Sequence, residues 1–215
     1  MDKQKIIQIL DELVTRYPIL QENRQNIYDA YKILEECYVN GHKLLVVGNG
    51  GSAADAEHIV GELMKGFVKE RKINQEFIDK MISLDKTKGN YMADKLQGTL
   101  PALSLNVNIG LNTAYLNDVE GNLVLAQEVY GYGKPGDVFM GISTSGNSVN
   151  INYAVIVARA KGLKCIALSG KDGGELKNRV DTAIIVKEKE TFKIQELHLP
   201  IYHALCLMLE ERFFV

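Results

Sequence analysis

The sequence predicts an α/β fold in which a parallel sheet is covered by helices on both faces. Three observations predict it. Short, continuously apolar runs recur along the chain, as buried parallel strands require. Helical periodicities lie between them, so strand and helix alternate. Two of the runs break into Gly- and Ser-rich turns that open a helix, the place where an α/β sheet takes its ligands.

The elements follow in order. Ile6, Ile7, Leu10, Leu13 and Val14 recur at helical spacing, and Pro18 ends that first helix. A second helix runs from about Leu20 to Val39, with Ile27, Ala30, Tyr31, Leu34 and Cys37 on one face and Gly41 as its C-cap. This N-terminal helical hairpin occupies residues 1–40. Strands are predicted at Lys43–Val47, Leu103–Leu105, Val138–Ile142, Lys164–Ser169 and Ala183–Val186. Helical stretches are predicted near Ala53 onward and at 121–130, 148–161, 173–178 and 192–212. Pro200 either kinks the last helix or marks its first turn. Residues 68–99 break the rhythm as a polar, lysine-rich insertion. Phe77, Ile78, Met81 and Ile82 suggest one short helix there, and Tyr91, Met92 and Leu96 a second. It reads as a surface excursion or as a lid or subunit contact. All of this fits one domain over residues 1–215.

Bulk properties narrow the class. A net charge of −2 gives no basic field for nucleic acid or an anionic membrane. No apolar run is long enough to span a bilayer. The start of the chain is charged and amphipathic, unlike a signal peptide. Cys37, Cys165 and Cys206 are odd in number, far apart and without metal-ligand spacing, so a reducing cytoplasm is expected.

The strongest functional signal is Gly141-Ile-Ser-Thr-Ser-Gly-Asn-Ser148, between a buried strand and a helix. A helix N-terminus there offers unpaired N–H groups and the positive end of a dipole. Ser143, Thr144, Ser145 and Ser148 add hydroxyls, Asn147 adds an amide, and Gly146 allows close backbone approach. The loop lacks the lysine of a nucleotide-triphosphate loop, so it suits one phosphate monoester. A lone helix cap would need fewer hydroxyls. Gly48-Asn49-Gly50-Gly51-Ser52 forms a second such turn, from which Asn49 and Ser52 could reach the same ligand.

GNGGSAADAEHIVGEL, GISTSGNS, ALSGKDGG and IQELH, in this order, resemble the sugar isomerase (SIS) domain family, and within it the phosphoheptose isomerases. The resemblance covers about residues 1–67 and 100–215. It implies a flavodoxin-like three-layer sandwich and a homotetramer with sites at subunit interfaces. It also implies interconversion of sedoheptulose 7-phosphate and D-glycero-D-manno-heptose 7-phosphate through an enediol. Glu62 would be the base and His203 its acid partner. Asn49, Gly50, Gly51, Ser52, Asn117, Asp118, Ser143, Thr144, Ser145, Asn147, Ser148 and Gln195 would contact substrate. Zinc would sit on His58, Glu62, Gln195 and His203. The alternatives are an isomerase of another ketose phosphate and, without catalysis, a phosphosugar-binding or replication-initiator-binding adaptor.

The residues are chemically suited to these roles. Aldose–ketose isomerisation needs a base at carbon and an acid at the carbonyl oxygen, which a carboxylate and an imidazole supply. His58 and Glu62 are four apart on one helix face. Gln195 and His203 lie about 80° apart around a regular helix. Two imidazoles, a carboxylate and an amide oxygen suit zinc, although Gln is an uncommon ligand. His198 points roughly 140° away from His203 and reads as structural. His42 reads as solvated. Lys171 reads as a solvated charge, with offsetting the phosphate charge as the alternative, and Asp172 as a cap of the following turn.

The chain also departs from the family pattern. The usual SLTTDTS after the second strand is Ser104-Leu-Asn-Val-Asn-Ile-Gly110, so Asn108 replaces an aspartate and Asn106 a hydroxyl. Gly66 stands where an arginine is common. These changes bear on the sugar more than on the reaction.

Overall fold

The computed structural model describes residues 3–214. Met1, Asp2 and Val215, included in the 1–215 assignment, lie outside the described residues. Helices α1 (Lys3–Arg16) and α2 (Arg24–Val39) are joined by a 3-10 turn over Pro18–Asn23. The predicted second helix thus starts four residues late, because Pro18 and its neighbours wind more tightly. Gly41 closes α2 at φ +73. Its N–H donates to the Tyr38 carbonyl and that of His42 to Cys37, the paired bonds of a Schellman cap.

Five parallel strands follow: β1 (Leu44–Val47), β2 (Ala102–Ser104), β3 (Val138–Ser143), β4 (Lys164–Gly170) and β5 (Thr182–Val186). Their order in the sheet is β2-β1-β3-β4-β5. That is the flavodoxin-like order, with its topological switch point between β1 and β3. All five predicted strands are present, within one residue at each end. Side chains alternate between two cores. Leu44, Val46, Val138, Met140, Ile142, Ile166 and Leu168 face one, with Ile59 and Leu63 of helix α3 (Gly51–Met64) and much of α1, α2 and α9 (Thr191–Phe213). Leu45, Val47, Phe139, Cys165 and Ala167 face the other, with α7 (Val124–Tyr132) and α8 (Val149–Ala160). Three layers result.

The insertion forms a helical hairpin, α4 (Gln75–Leu84) packed on α5 (Lys86–Lys95). Asn74 and Asp85 cap the two helices. The ends of the insertion are tied together: Gly98 N–H donates to the Arg71 carbonyl at 2.8 Å and Leu100 N–H to Leu63 at 3.0 Å. Phe77, Leu84 and Tyr91 remain exposed on the hairpin.

Three expectations need correction. A helix the sequence did not announce, α6 (Ile109–Asp118), precedes a 3-10 turn at Gly121–Leu123, so the stretch predicted at 121–130 is a turn followed by α7. Residues 173–178 are not an α-helix; Gly173 and Gly174 take positive φ, and only a 3-10 turn at Leu176–Arg179 follows. Pro200 lies inside continuous α9 rather than in its first turn. Among the described residues no helix is long and apolar enough to cross a membrane.

Candidate active site

The turns after β1 and β3 flank the switch point. In the β3 turn, Ser143 Oγ lies 2.9 Å from Ser148 Oγ and accepts the Gly146 N–H at 3.1 Å. Ser145 Oγ accepts the Asn147 N–H at 3.1 Å. Ser148 precedes α8 without a side-chain cap bond, so its hydroxyl is not spent on the helix N-terminus. Gly146 has φ +67, and a Cβ there would lie 1.9 Å from the Gly173 carbonyl oxygen. The β4 turn is thereby locked against the β3 turn, with Asn147 Oδ1 accepting the Glu175 N–H at 3.0 Å. Lys171 takes φ +55 in that turn.

Asn49 and Asn150 exchange amide hydrogen bonds at 3.0 and 2.9 Å, joining the β1 turn to the first turn of α8. Asn106 donates to the Gly48 carbonyl at 2.7 Å and accepts the Gly48 N–H at 3.0 Å. It therefore holds the β1 turn from below. Gly50 has φ +55. Gly51 lies so close to Gln195 that a Cβ would meet its Nε2 at 2.6 Å, and that amide donates to Ser52 Oγ at 3.5 Å. Gln195 of α9 thus reaches the N-terminus of α3.

One to three turns further along the same two helices lies a cluster of titratable side chains. His58 Nε2 is 3.1 Å from Glu62 Oε1, and Lys65 Nζ is 3.2 Å from Glu62 Oε2. His58 Nδ1 is 3.0 Å from the Tyr202 hydroxyl, which donates to Asp55 Oδ1 at 3.2 Å. The His203 ring stands edge-on to His58 and Tyr202, each 5.0 Å away, and 5.3 Å from Phe67. Burial holds the His203 imidazole below its ordinary 6.5, the neighbouring His58 adds to this, and Glu62 opposes it. His203 Nε2 is buried without a hydrogen-bond partner. A cavity of about 130 Å³ opens beside this ring, walled by Leu199 and Pro200 of α9 and by Ile9, Leu13 and Tyr17.

Helix fold thus brings Glu62, His58 and His203 to one place, as the sequence suggested. Asn117 and Asp118 end α6 and bond each other at 2.7 Å, exposed and apart from these contacts. Asn108 Oδ1 caps α6, accepting the Leu111 N–H at 3.1 Å. Gly66 has no room for an arginine, since a Cβ would sit 2.5 Å from the Lys69 carbonyl oxygen. His198 is structural, fully buried with Nε2 3.1 Å from the Ser169 carbonyl oxygen. His42 is packed rather than merely solvated, with Nδ1 3.8 Å from Asp137 Oδ1. Asp55, Tyr202, Arg71 and Glu210 were not legible as site-supporting residues.

The four expected zinc donors are chemically apt, and the unpartnered His203 Nε2 is the kind of atom a metal would occupy. As they stand, however, they are not arranged around a metal. His58 and Glu62 face each other, and among the described residues no three His, Cys, Asp or Glu side chains are placed to hold an ion.

The SIS domain profile matches residues 10–93 and 93–170. The chain belongs to the SIS domain family. It is 39% identical over 206 residues to a phosphoheptose isomerase of Nitratiruptor sp., with 96% of each chain covered. It is 38% identical over 194 residues to a probable phosphoheptose isomerase of Thermoplasma acidophilum, covering 90% of this chain and 92% of that one. Among solved structures, a phosphoheptose isomerase from Francisella tularensis superposes with a TM-score of 0.75 at 28% identity, covering 98% and 99% of the two chains. The enzyme from Neisseria gonorrhoeae gives 0.71 at 30% identity, covering 97% and 94%. On the sequence expectation, the β3 turn would be the phosphate cradle and the α3–α9 cluster the reactive end.

Proposed function

We propose that this SIS domain chain is a phosphoheptose isomerase interconverting sedoheptulose 7-phosphate and D-glycero-D-manno-heptose 7-phosphate. The observation that carries the proposal is the meeting of Glu62 and His203, from two helices far apart in sequence, around the His58 ring. An adaptor that only binds a phosphosugar has no need of that cluster.

The cradle holds the phosphate, and the sugar extends along α3 and α9 past Gln195. Glu62 takes a proton from C1 of the ketose and returns it to C2 of the enediol. His203 donates to O2 and takes the proton from O1. Burial and the neighbouring His58 hold its pKa below the ordinary value, which favours the neutral ring. A neutral imidazole carries one N–H and one lone pair, which this exchange between two oxygens requires. His58, fixed by Tyr202, orients the Glu62 carboxylate.

Glu62→Gln keeps the shape and removes the base. Its kcat is expected to fall about 10²- to 10⁴-fold, the usual contribution of general base catalysis. Turnover within threefold of wild type would remove Glu62 from this role. The same assay with shorter ketose phosphates reads substrate range.

Three further proposals accompany this one. Zinc on His58, Glu62, Gln195 and His203 rests on the donor set and the orphaned His203 nitrogen; equilibrium dialysis of zinc against wild type and His203→Ala tests it. A homotetramer with sites completed at its interfaces is tested by light scattering. A cytoplasmic setting agrees with three buried free thiols.

A further inference from the structure

Arg71 and Glu210 form a fully buried ion pair, with Nε 2.7 Å from Oε1 and side chains 0% and 1% exposed. A buried pair is weak support for stability in general, because desolvation offsets its attraction. What the two charges hold is therefore more informative. Arg71 Nη1 donates to the Leu63 carbonyl at 2.7 Å and Nη2 to the Glu62 carbonyl at 2.9 Å. These are carbonyls of the last turn of α3, which have no partner inside the helix. Helix α3 ends on an extended Lys65 with no glycine cap, and the guanidinium fills that place as a cation at a helix C-terminus. Its plane also lies over the Phe214 ring, 4.6 Å from the centroid.

Glu210, in α9, accepts three backbone N–H groups from the strap that leaves α3: Phe67 at 2.8 Å, Val68 at 2.9 Å and Lys69 at 3.2 Å. Burial pushes its carboxyl up, but the Phe67 and Val68 N–H groups and Arg71 outweigh this and hold it below the ordinary value. The strap residue so fixed, Phe67, is the one whose ring lies 5.3 Å from His203.

We propose that the Arg71–Glu210 pair is a positioning device for the isomerisation. It fixes Glu62 through the Glu62 carbonyl and His203 through Phe67, so one buried ion pair sets both members of the acid–base pair. The inference rests on the isomerase reading, and it adds two residues that never touch substrate.

The test is Arg71→Lys in the full-length chain. Lysine keeps the charge but cannot reach two carbonyls and a carboxylate together. Among folded molecules, kcat is expected to fall at least tenfold with KM within about twofold, because phosphate binding at the cradle is untouched. Amide hydrogen exchange at residues 61–69 is expected to rise at least tenfold, while exchange in β3 and α8 stays as in wild type. A folded Arg71→Lys protein with wild-type kcat, or with unchanged exchange at 61–69, would overturn the proposal. Should Arg71→Lys fail to fold, Phe67→Leu keeps the clamp and removes the ring; unchanged kcat there overturns it equally. Wild-type protein that fails to isomerise the sugar would defeat the functional reading alone, since the exchange measurement needs no substrate.

Discussion

Glu128 in α7 is 2% exposed, and its Oε2 has no hydrogen-bond partner. Burial alone pushes its carboxyl from 4.5 to about 7. The folded state therefore binds the proton more tightly than the unfolded chain does. The stability this contributes is fully present below about pH 4.5 and is lost as pH rises through about 7. A shift of this size, at 1.36 kcal/mol per unit, amounts to about 3 kcal/mol between pH 4 and pH 8. Glu128→Gln keeps the shape of the protonated acid and cannot ionise. It should match wild type within about 1 kcal/mol at pH 4 and exceed it by up to about 3 kcal/mol at pH 8. Urea unfolding at the two pH values measures both, and the difference between them cancels any fixed cost of the extra amide hydrogens. Equal differences at pH 4 and pH 8 would refute the reasoning, because they would place no titrating proton at this site.

Other outcomes follow from the turns. Gly146→Ala forces a Cβ onto the Gly173 carbonyl at a positive φ; loss of inorganic phosphate binding by calorimetry is expected, together with a lowered melting temperature. Asn108→Ala should cost about 1 kcal/mol of unfolding free energy through the lost cap on α6. Its KM for the sugar phosphate should stay within twofold of wild type, whereas a direct sugar contact would raise KM strongly.

The sheet was legible because its signal is local. Buried parallel strands are continuous apolar runs, and KLLVV or VFMGIS can be read without knowing their neighbours. Helix α6 was missed for the converse reason: none of its residues is buried, so it carries no apolar stripe. The turn between β3 and α8 was legible because hydroxyls, glycine and the strand-to-helix change are contiguous. His58, Glu62 and His203 were read through spacing and family likeness. The residues that support them were not, since their meaning lies in long-range bonds. Asn106 looks like a lost hydroxyl until its bonds to Gly48, 58 positions away, are seen. Asn108 looks like a weakened site residue until it is found capping a helix. Arg71 is one of many basic residues within a lysine-rich insertion, and only its partner 139 positions away distinguishes it.

The central claim is that Glu62 carries a proton between C1 and C2 of a phosphorylated ketose. The most direct measurement is NMR of sedoheptulose 7-phosphate incubated with the protein in heavy water. Deuterium at C2 of the aldose product is expected, with the exchange abolished in Glu62→Gln. Absence of product and of exchange, with and without added zinc, would contradict the claim.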